Sequence, residues 1–168
     1  LASDLISQTY PSDLMGDYQV HNKKTVLQTL TILNKETSFK TNEIHWKTGL
    51  SKVIKNTGLQ GRWQQLGEFP KVICDTAHNK HGLEIVLNQI QKEKFDRLHI
   101  VLGLVNDKDL DEILPLFPKK AIYYFCKPNV PRGLNVDILS QKATQFGLNG
   151  KTFNSISAAY ANAKQNAH

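Results

Sequence analysis

Apolar residues recur along this chain in two rhythms. Leu83, Val86, Leu87 and Ile90 fall at i, i+3, i+4 and i+7, and Leu110, Ile113, Leu114 and Phe117 repeat that spacing. Such spacing lays one apolar stripe along an α-helix. Val136, Leu139, Ala143 and Phe146, closed by Gly147, mark another helix, and Ile156, Ala159, Tyr160 and Ala163 mark a last one. Between the helical patterns lie short apolar runs at 72–75, 98–102 and 121–126, with a shorter one at 151–153. Runs of this length read as strands buried on both faces. The alternation predicts an α/β fold, a Rossmann-like, mostly parallel sheet with helices on both faces.

The first third is less regular. Residues 1–20 alternate poorly, and Tyr10-Pro11-Ser12-Asp13 reads as a turn. Asn22 is expected to cap a helix whose face is Val26, Leu30 and Leu33, ended by the polar stretch 35–42. Thr41 or Asn42 caps a second, with Trp46, Leu50, Val53 and Ile54 on its face and Asn56-Thr57-Gly58 as its stop. Residues 62–66 read as a short strand and Glu68-Phe69-Pro70 as a turn. The boundary between a leading piece and the α/β domain is expected within 35–60. The start on Leu1 rather than Met reads as a start in mid-protein. The helical pattern running to His168 leaves a further strand expected beyond it.

Composition narrows the function classes. With 40% hydrophobic and 21% charged residues, the chain has the balance of a globular domain and not of a disordered one. No apolar run approaches the roughly 20 residues that span a bilayer, and the first residues lack a signal-peptide pattern. Neither of the two cysteines, Cys74 and Cys126, has a Cys or His at structural-zinc spacing. Both are expected to be reduced and buried, in a cytoplasmic protein. The formal charge of +6 suits an acidic partner, but the positive residues are dispersed, and Lys23-Lys24 and Lys119-Lys120 are the longest basic runs. That is a poor footprint for nucleic acid; neither nucleic acid nor membrane is expected as a partner.

Ligands of open parallel sheets bind beyond the carboxyl ends of the strands. Three loops qualify. In Asp75-Thr76-Ala77-His78-Asn79 an acid ends a strand and a His and an Asn open the next helix. Asp75 suits ribose hydroxyls, and His78 suits a phosphate near a helix N-terminus. The same residues also fit a strand-end acid and an Asn79 helix cap. Asn106-Asp107-Lys108-Asp109 suits a ligand loop or a turn followed by an Asp cap. Arg132, after Pro131, offers a planar fork to a carboxylate or phosphate, or is simply solvated. Arg62 offers the same fork beside Trp63, which reads as core. No Ser or Cys stands in a nucleophile-elbow setting.

Five segments in order resemble the Mur ligase superfamily, and within it the folylpolyglutamate synthase and dihydrofolate synthase branch. Leu14-Met15-Gly16-Asp17-Tyr18-Gln19-Val20-His21-Asn22 is similar to a Leu-x-Gly-x-(His/Tyr)-Gln-x-x-Asn segment near the end of that family's central ATPase domain. Gly61-Arg62-Trp63-Gln64 resembles its interdomain Gly-Arg segment, and Asp75-Thr76-Ala77-His78-Asn79 its Asp-x-(Ala/Gly)-His-Asn motif. Gly103 through Asp107-Lys108-Asp109 resembles its Gly…Asp-Lys-Asp loop, and Pro131-Arg132-Gly133 its Pro-Arg-Ala segment.

The resemblance implies a tail of the central ATPase domain at 1–40 and a C-terminal ligase domain at 41–168, lacking its last strand. It implies a reaction in which Mg-ATP activates a carboxylate of dihydropteroate or folate as an acyl phosphate. The amine of L-glutamate then attacks, giving an amide, ADP and phosphate. It further implies Asn22 at the adenine, Arg62 at the ATP phosphates, Asp75 at the ribose and His78 near the phosphates, with Arg62 and His78 serving catalysis. Lys108 and Arg132 are expected to face the incoming amino acid or a polyglutamyl tail. No metal ligands are expected here: the magnesium ligands would lie upstream, with the Gly-x-x-x-x-Gly-Lys-(Ser/Thr) loop that these 168 residues lack. The chain alone is therefore expected to be inactive. A peptidoglycan Mur ligase is the alternative in the same class, though Gln19-x-x-Asn22 and Gly61-Arg62-Trp63-Gln64 favour the folate branch. A non-catalytic module gripping an acidic ligand is the alternative from another class.

Overall fold

Residues 9–167 are described by a computed structural model; the expectations for residues 1–8 lie outside the described residues. The chain divides into two compact units. The first comprises residues up to Leu66 together with Val72–Thr76, the second Gly67–Lys71 and Ala77 onward.

In the first unit, helix α1 spans Gln19–Glu36. It starts one turn earlier than the expected Asn22 cap. Tyr18 already has helical dihedrals, and the Gln19 N–H is taken by the Gly16 carbonyl. Asn22 therefore lies inside the helix, exposed, with its side-chain amide donating to Gln19 Oε1 at 2.9 Å. The expected second helix is two, α2 (Glu43–Leu50) and α3 (Val53–Thr57). Asn42 caps α2, accepting from the His45 N–H at 3.0 Å. The break has a cause in Asp13, whose carboxylate accepts from the N–H groups of Val53 and Ile54 at 3.0 and 2.9 Å. Those two donors would otherwise continue the preceding helix. Gly58, at φ 65°, closes α3 in the left-handed conformation.

Strands β1 (Gln64–Glu68) and β2 (Lys71–Cys74) form a two-stranded sheet across the cis Phe69-Pro70 turn. The expectation that residues 72–75 form a strand buried on both faces is not met. Among the described residues β2 pairs only with β1, and it is half-buried. A short apolar run, here Val72-Ile73-Cys74, is equally compatible with a hairpin arm, since its pairing depends on what the neighbouring turn permits.

The second unit is built on a parallel sheet of β3 (His99–Leu102), β4 (Ile122–Cys126) and β5 (Gly150–Phe153), in that spatial order. Helix α4 (Lys80–Ile90) precedes β3. Helix α5 (Leu110–Ile113), extended by a 3₁₀ turn at Leu114–Leu116, joins β3 to β4. The predicted helix at 110–117 tightens there because Pro115 has no N–H to continue an α-helical ladder. Helix α6 (Val136–Gln145) leads to β5, and α7 (Ile156–Asn166) follows it.

Alternation along β4 builds a core on each face. Tyr123 and Phe125 point to one side, among Leu83, Leu87, Leu114, Leu139, Ala143 and Leu148 from the α4, α5 and α6 regions. Tyr124 and Cys126 point to the other, where Ala159 and Ala163 of α7 pack. The small alanines let α7 approach the sheet closely. Helices thus cover both faces of a parallel sheet, as the alternation predicted. Each large apolar side chain buried this way contributes about 1.5–3 kcal/mol. Both cysteines are free thiols ending their strands, Cys126 buried and Cys74 half-buried. Among the described residues no helix is long and apolar enough to cross a membrane.

Candidate functional site

In the first unit, residues 61–63 lie against Asp75 and Thr76, which follow β2. Gly61 is left-handed at φ 67°, and a Cβ there would sit 2.5 Å from Thr76 Cγ2, so the position requires glycine. The Gly61 carbonyl accepts from the Thr76 N–H at 3.0 Å and from its hydroxyl at 3.1 Å. Trp63, buried as expected, is also left-handed at φ 52°. Its N–H donates to Asp75 Oδ2 at 2.7 Å. The same oxygen accepts the Tyr18 hydroxyl at 2.8 Å. Burial first, then donation to Asp75 and the Asp75 charge, holds the Tyr18 phenol well above its ordinary range. Burial, with a smaller part from Asp75, also pushes up the Cys74 thiol.

Arg62 stands between the two left-handed residues. Its Nη1 donates to the Gly61 carbonyl at 3.1 Å and to the Thr76 hydroxyl. The structure thus gathers Arg62 and Asp75 within one cluster. Asn22 lies on α1 in the same unit. Tyr18 and Thr76 belong to the cluster and were missed as site residues from sequence. Tyr18 lies within the segment from Leu14 to Asn22, but nothing local points from it to an acid 57 positions away.

In the second unit, Asn79 caps α4, accepting from the Gly82 N–H at 2.8 Å, so the cap reading of this residue holds. His78 is exposed just before that cap. Asp109 likewise caps α5, accepting from Asp111 N–H at 2.9 Å and Glu112 N–H at 3.3 Å. Lys80 pairs with Glu112 at 3.2 Å, tying α4 to α5.

The loops after β3 and β4 are laced together at the carboxyl edge of the sheet. Val105 and Gly133 form an antiparallel bridge. Asn106 N–H donates to the Arg132 carbonyl, and Leu134 N–H to the Leu104 carbonyl, each at 2.9 Å. A Cβ on Gly133 would fall 2.3 Å from the Pro128 carbonyl oxygen, so only glycine allows this approach. Arg132 Nη1 meets Asp107 Oδ2 at 3.0 Å. Lys108 sits half-buried in the partner loop, its N–H closing a turn to Val105. The loops that carry Lys108 and Arg132 are thus bonded to each other at that edge. Asp107 lies in the loop singled out from sequence, but its pairing with Arg132 is not readable there. Among the described residues no group of three or more His, Cys, Asp or Glu converges as a metal cage.

A family model described as Mur ligase, glutamate ligase domain, matches residues 61–168. The chain belongs to this family. The chain is 33% identical over 109 residues to the dihydrofolate synthase/folylpolyglutamate synthase of Escherichia coli K12, covering 64% of this chain and 25% of that protein. It is 33% identical over 87 residues to a probable bifunctional folylpolyglutamate synthase/dihydropteroate synthase of Haloferax volcanii, covering 52% of this chain and 10% of that one. Among solved structures, E. coli FolC in complex with DHPP and ADP superposes with a TM-score of 0.73 at 26% identity, over 94% of this chain and 35% of that one. Mycobacterium tuberculosis folylpolyglutamate synthase, complexed with ADP and AMPPCP, shares the fold at a TM-score of 0.77 and 23% identity, over 92% and 34%. The chain thus spans about a third or less of each of these proteins.

Proposed function

We propose that this chain is the glutamate-ligase portion of an ATP-dependent folate ligase. In this reading the whole enzyme joins L-glutamate to dihydropteroate or folate. The similarity to the E. coli dihydrofolate synthase/folylpolyglutamate synthase carries it, and it favours the folate branch over a peptidoglycan ligase. The leading residues 1–40 are then the tail of a central ATPase domain, and the protein works in the cytoplasm.

The residues present fit a nucleotide. A guanidinium for phosphate oxygens and a carboxylate for a ribose diol stand within one cluster, at Arg62 and Asp75. Asn22 is assigned to the adenine and His78 to the phosphates. Mg-ATP, when bound, would supply the phosphoryl group that activates the substrate carboxylate, with ADP as the group displaced. Arg62 neutralises charge on the transferred phosphoryl group. To do so it exchanges its bonds to Gly61 and Thr76 for phosphate oxygens, which suits a residue that acts only on closure. The Arg132 fork and the Lys108 ammonium select an acidic amino acid at the sheet's carboxyl edge, and Asp107 holds Arg132 in orientation until the substrate carboxylate replaces it. In this reading the magnesium ligands lie outside this chain.

The test is glutamate ligation by the longer protein that carries this segment. Amide formation and ADP release that require folate or dihydropteroate, ATP and L-glutamate together support the reading. Ligation of a nucleotide-linked muramoyl substrate instead would place the enzyme in the peptidoglycan branch.

A further inference from the structure

We propose that Tyr18 is a positioning residue for Arg62, acting through Asp75 and the left-handed turn at Trp63. The inference rests on the phosphate-contacting role of Arg62 proposed above.

Trp63 is the one non-glycine residue with positive φ among those described. A bulky L-residue in that region is strained and persists only where its surroundings hold it. What holds it is the Trp63 N–H bond to Asp75 Oδ2 at 2.7 Å. That oxygen also receives the Tyr18 hydroxyl at 2.8 Å. Two donors on one carboxylate oxygen fix the rotation of the Asp75 side chain. The acceptor then points at the Trp63 amide.

Arg62 is the residue between the two left-handed positions, Gly61 and Trp63. Its side-chain direction is set by the dihedrals on either side of it. Gly61 is held separately, by Thr76 on its carbonyl and by Gln64 Oε1 on its N–H at 2.9 Å. Asp75 is therefore the anchor of the Trp63 side of the turn, and Tyr18 orients that anchor from the start of α1. The Tyr18 hydroxyl donates to Asp75, and its effect on the turn passes through that carboxylate. Removing the hydroxyl leaves Asp75 with one fewer fixed donor and frees the turn to sample other dihedrals. Arg62 then spends less time where a phosphate can meet it.

The first measurement is amide hydrogen exchange on this 168-residue chain and its Tyr18→Phe variant. Trp63 N–H should exchange about tenfold faster in the variant, while Leu30 in α1 and Phe125 in β4 keep their protection. Unchanged Trp63 exchange overturns the proposal. The second measurement is ligation by the longer enzyme carrying this segment. Tyr18→Phe should lower kcat about tenfold and leave KM for the folate substrate within about twofold, because a mispositioned Arg62 acts on the transition state. Tyr18→His, which keeps a ring donor, should recover part of the loss. Faster exchange with unchanged kcat overturns the link to Arg62. Arg62→Ala with unchanged kcat instead removes the role of Arg62 itself, so the two failures are distinguishable.

Discussion

Arg132 and Asp107 meet at 3.0 Å across two loops that the backbone already binds together, so their ion pair orients a side chain more than it holds the fold. Both partners are largely solvent-exposed, at 68% and 51%, and exposed pairs contribute about 0–1 kcal/mol. Arg132→Ala should therefore leave the thermal midpoint nearly unchanged. In the longer enzyme it should raise KM for L-glutamate by about tenfold or more, since a guanidinium–carboxylate fork is a strong contact. Steady-state kinetics with glutamate varied, beside a thermal melt, measure both; an unaltered KM for glutamate would take Arg132 out of the amino-acid site.

Arg62→Ala in the longer enzyme should lower turnover more than it weakens folate binding. Loss of one such charge at the reacting phosphoryl group costs about 3 kcal/mol, or roughly a hundredfold in rate. Arg62→Lys should not fully rescue, because an ammonium lacks the planar fork. A variant with wild-type kcat per folded molecule and a lowered melting temperature would show that Arg62 only packs the turn beside Trp63.

The 168-residue chain by itself should form no amide from ATP, folate and glutamate. It contains no Gly-x-x-x-x-Gly-Lys-(Ser/Thr) phosphate loop, and positioning of the phosphates is most of the catalysis in phosphoryl transfer. A radiolabelled-glutamate assay checks this, and product above background from the purified chain would refute it.

Stability should fall on the alkaline side. Burial raises the folded-state pKa of Cys126, Tyr124 and Tyr123, and burial together with Asp75 raises that of Cys74 and Tyr18. The unfolded chain ionises first, near about 8.5 for thiols and about 10 for phenols. The folded state then holds protons that the unfolded state has released, and stability drops as pH rises through that window. Below about pH 8 these groups are neutral in both states and add no pH dependence. Urea midpoints taken from pH 7 to pH 11 should decline first at the thiol step; a flat profile would contradict the burial of these groups.

Leu139→Ala should destabilise the second unit by about 2–5 kcal/mol. Leu139 is fully buried at the centre of the cluster beneath β4. Denaturant unfolding measures the loss, and a change under about 1 kcal/mol would mean that α6 does not seal that face.

The sequence told most where burial forces a period. The stripe at Leu83, Val86 and Leu87 and the strands at β3 and β4 are legible because both faces of the sheet are covered. Legibility failed where partners are distant. Asp13 splits α2 from α3 across 40 positions, and nothing in residues 43–57 announces it. The apolar run Val72-Ile73-Cys74 of β2 reads like a central strand, yet a short run does not encode its partner. The Arg62 and Asp75 positions were readable as motif residues. That Tyr18 anchors Asp75 was not, because the contact exists only after the chain has folded back on itself. The start of α1 reads too late from sequence, at Asn22, because Tyr18 enters the helix without a side-chain cap and so leaves no polar start signal.

The bridge between Val105 and Gly133 carries a consequence for how such a domain can change over generations. Two loops that share backbone hydrogen bonds and leave no room for a methyl group cannot lengthen independently. An insertion in one shifts the rim residues of both. If that rim selects the amino acid, as proposed, new preferences would arise by exchanging side chains at Asp107, Lys108 and Arg132 on a fixed frame rather than by changing loop length.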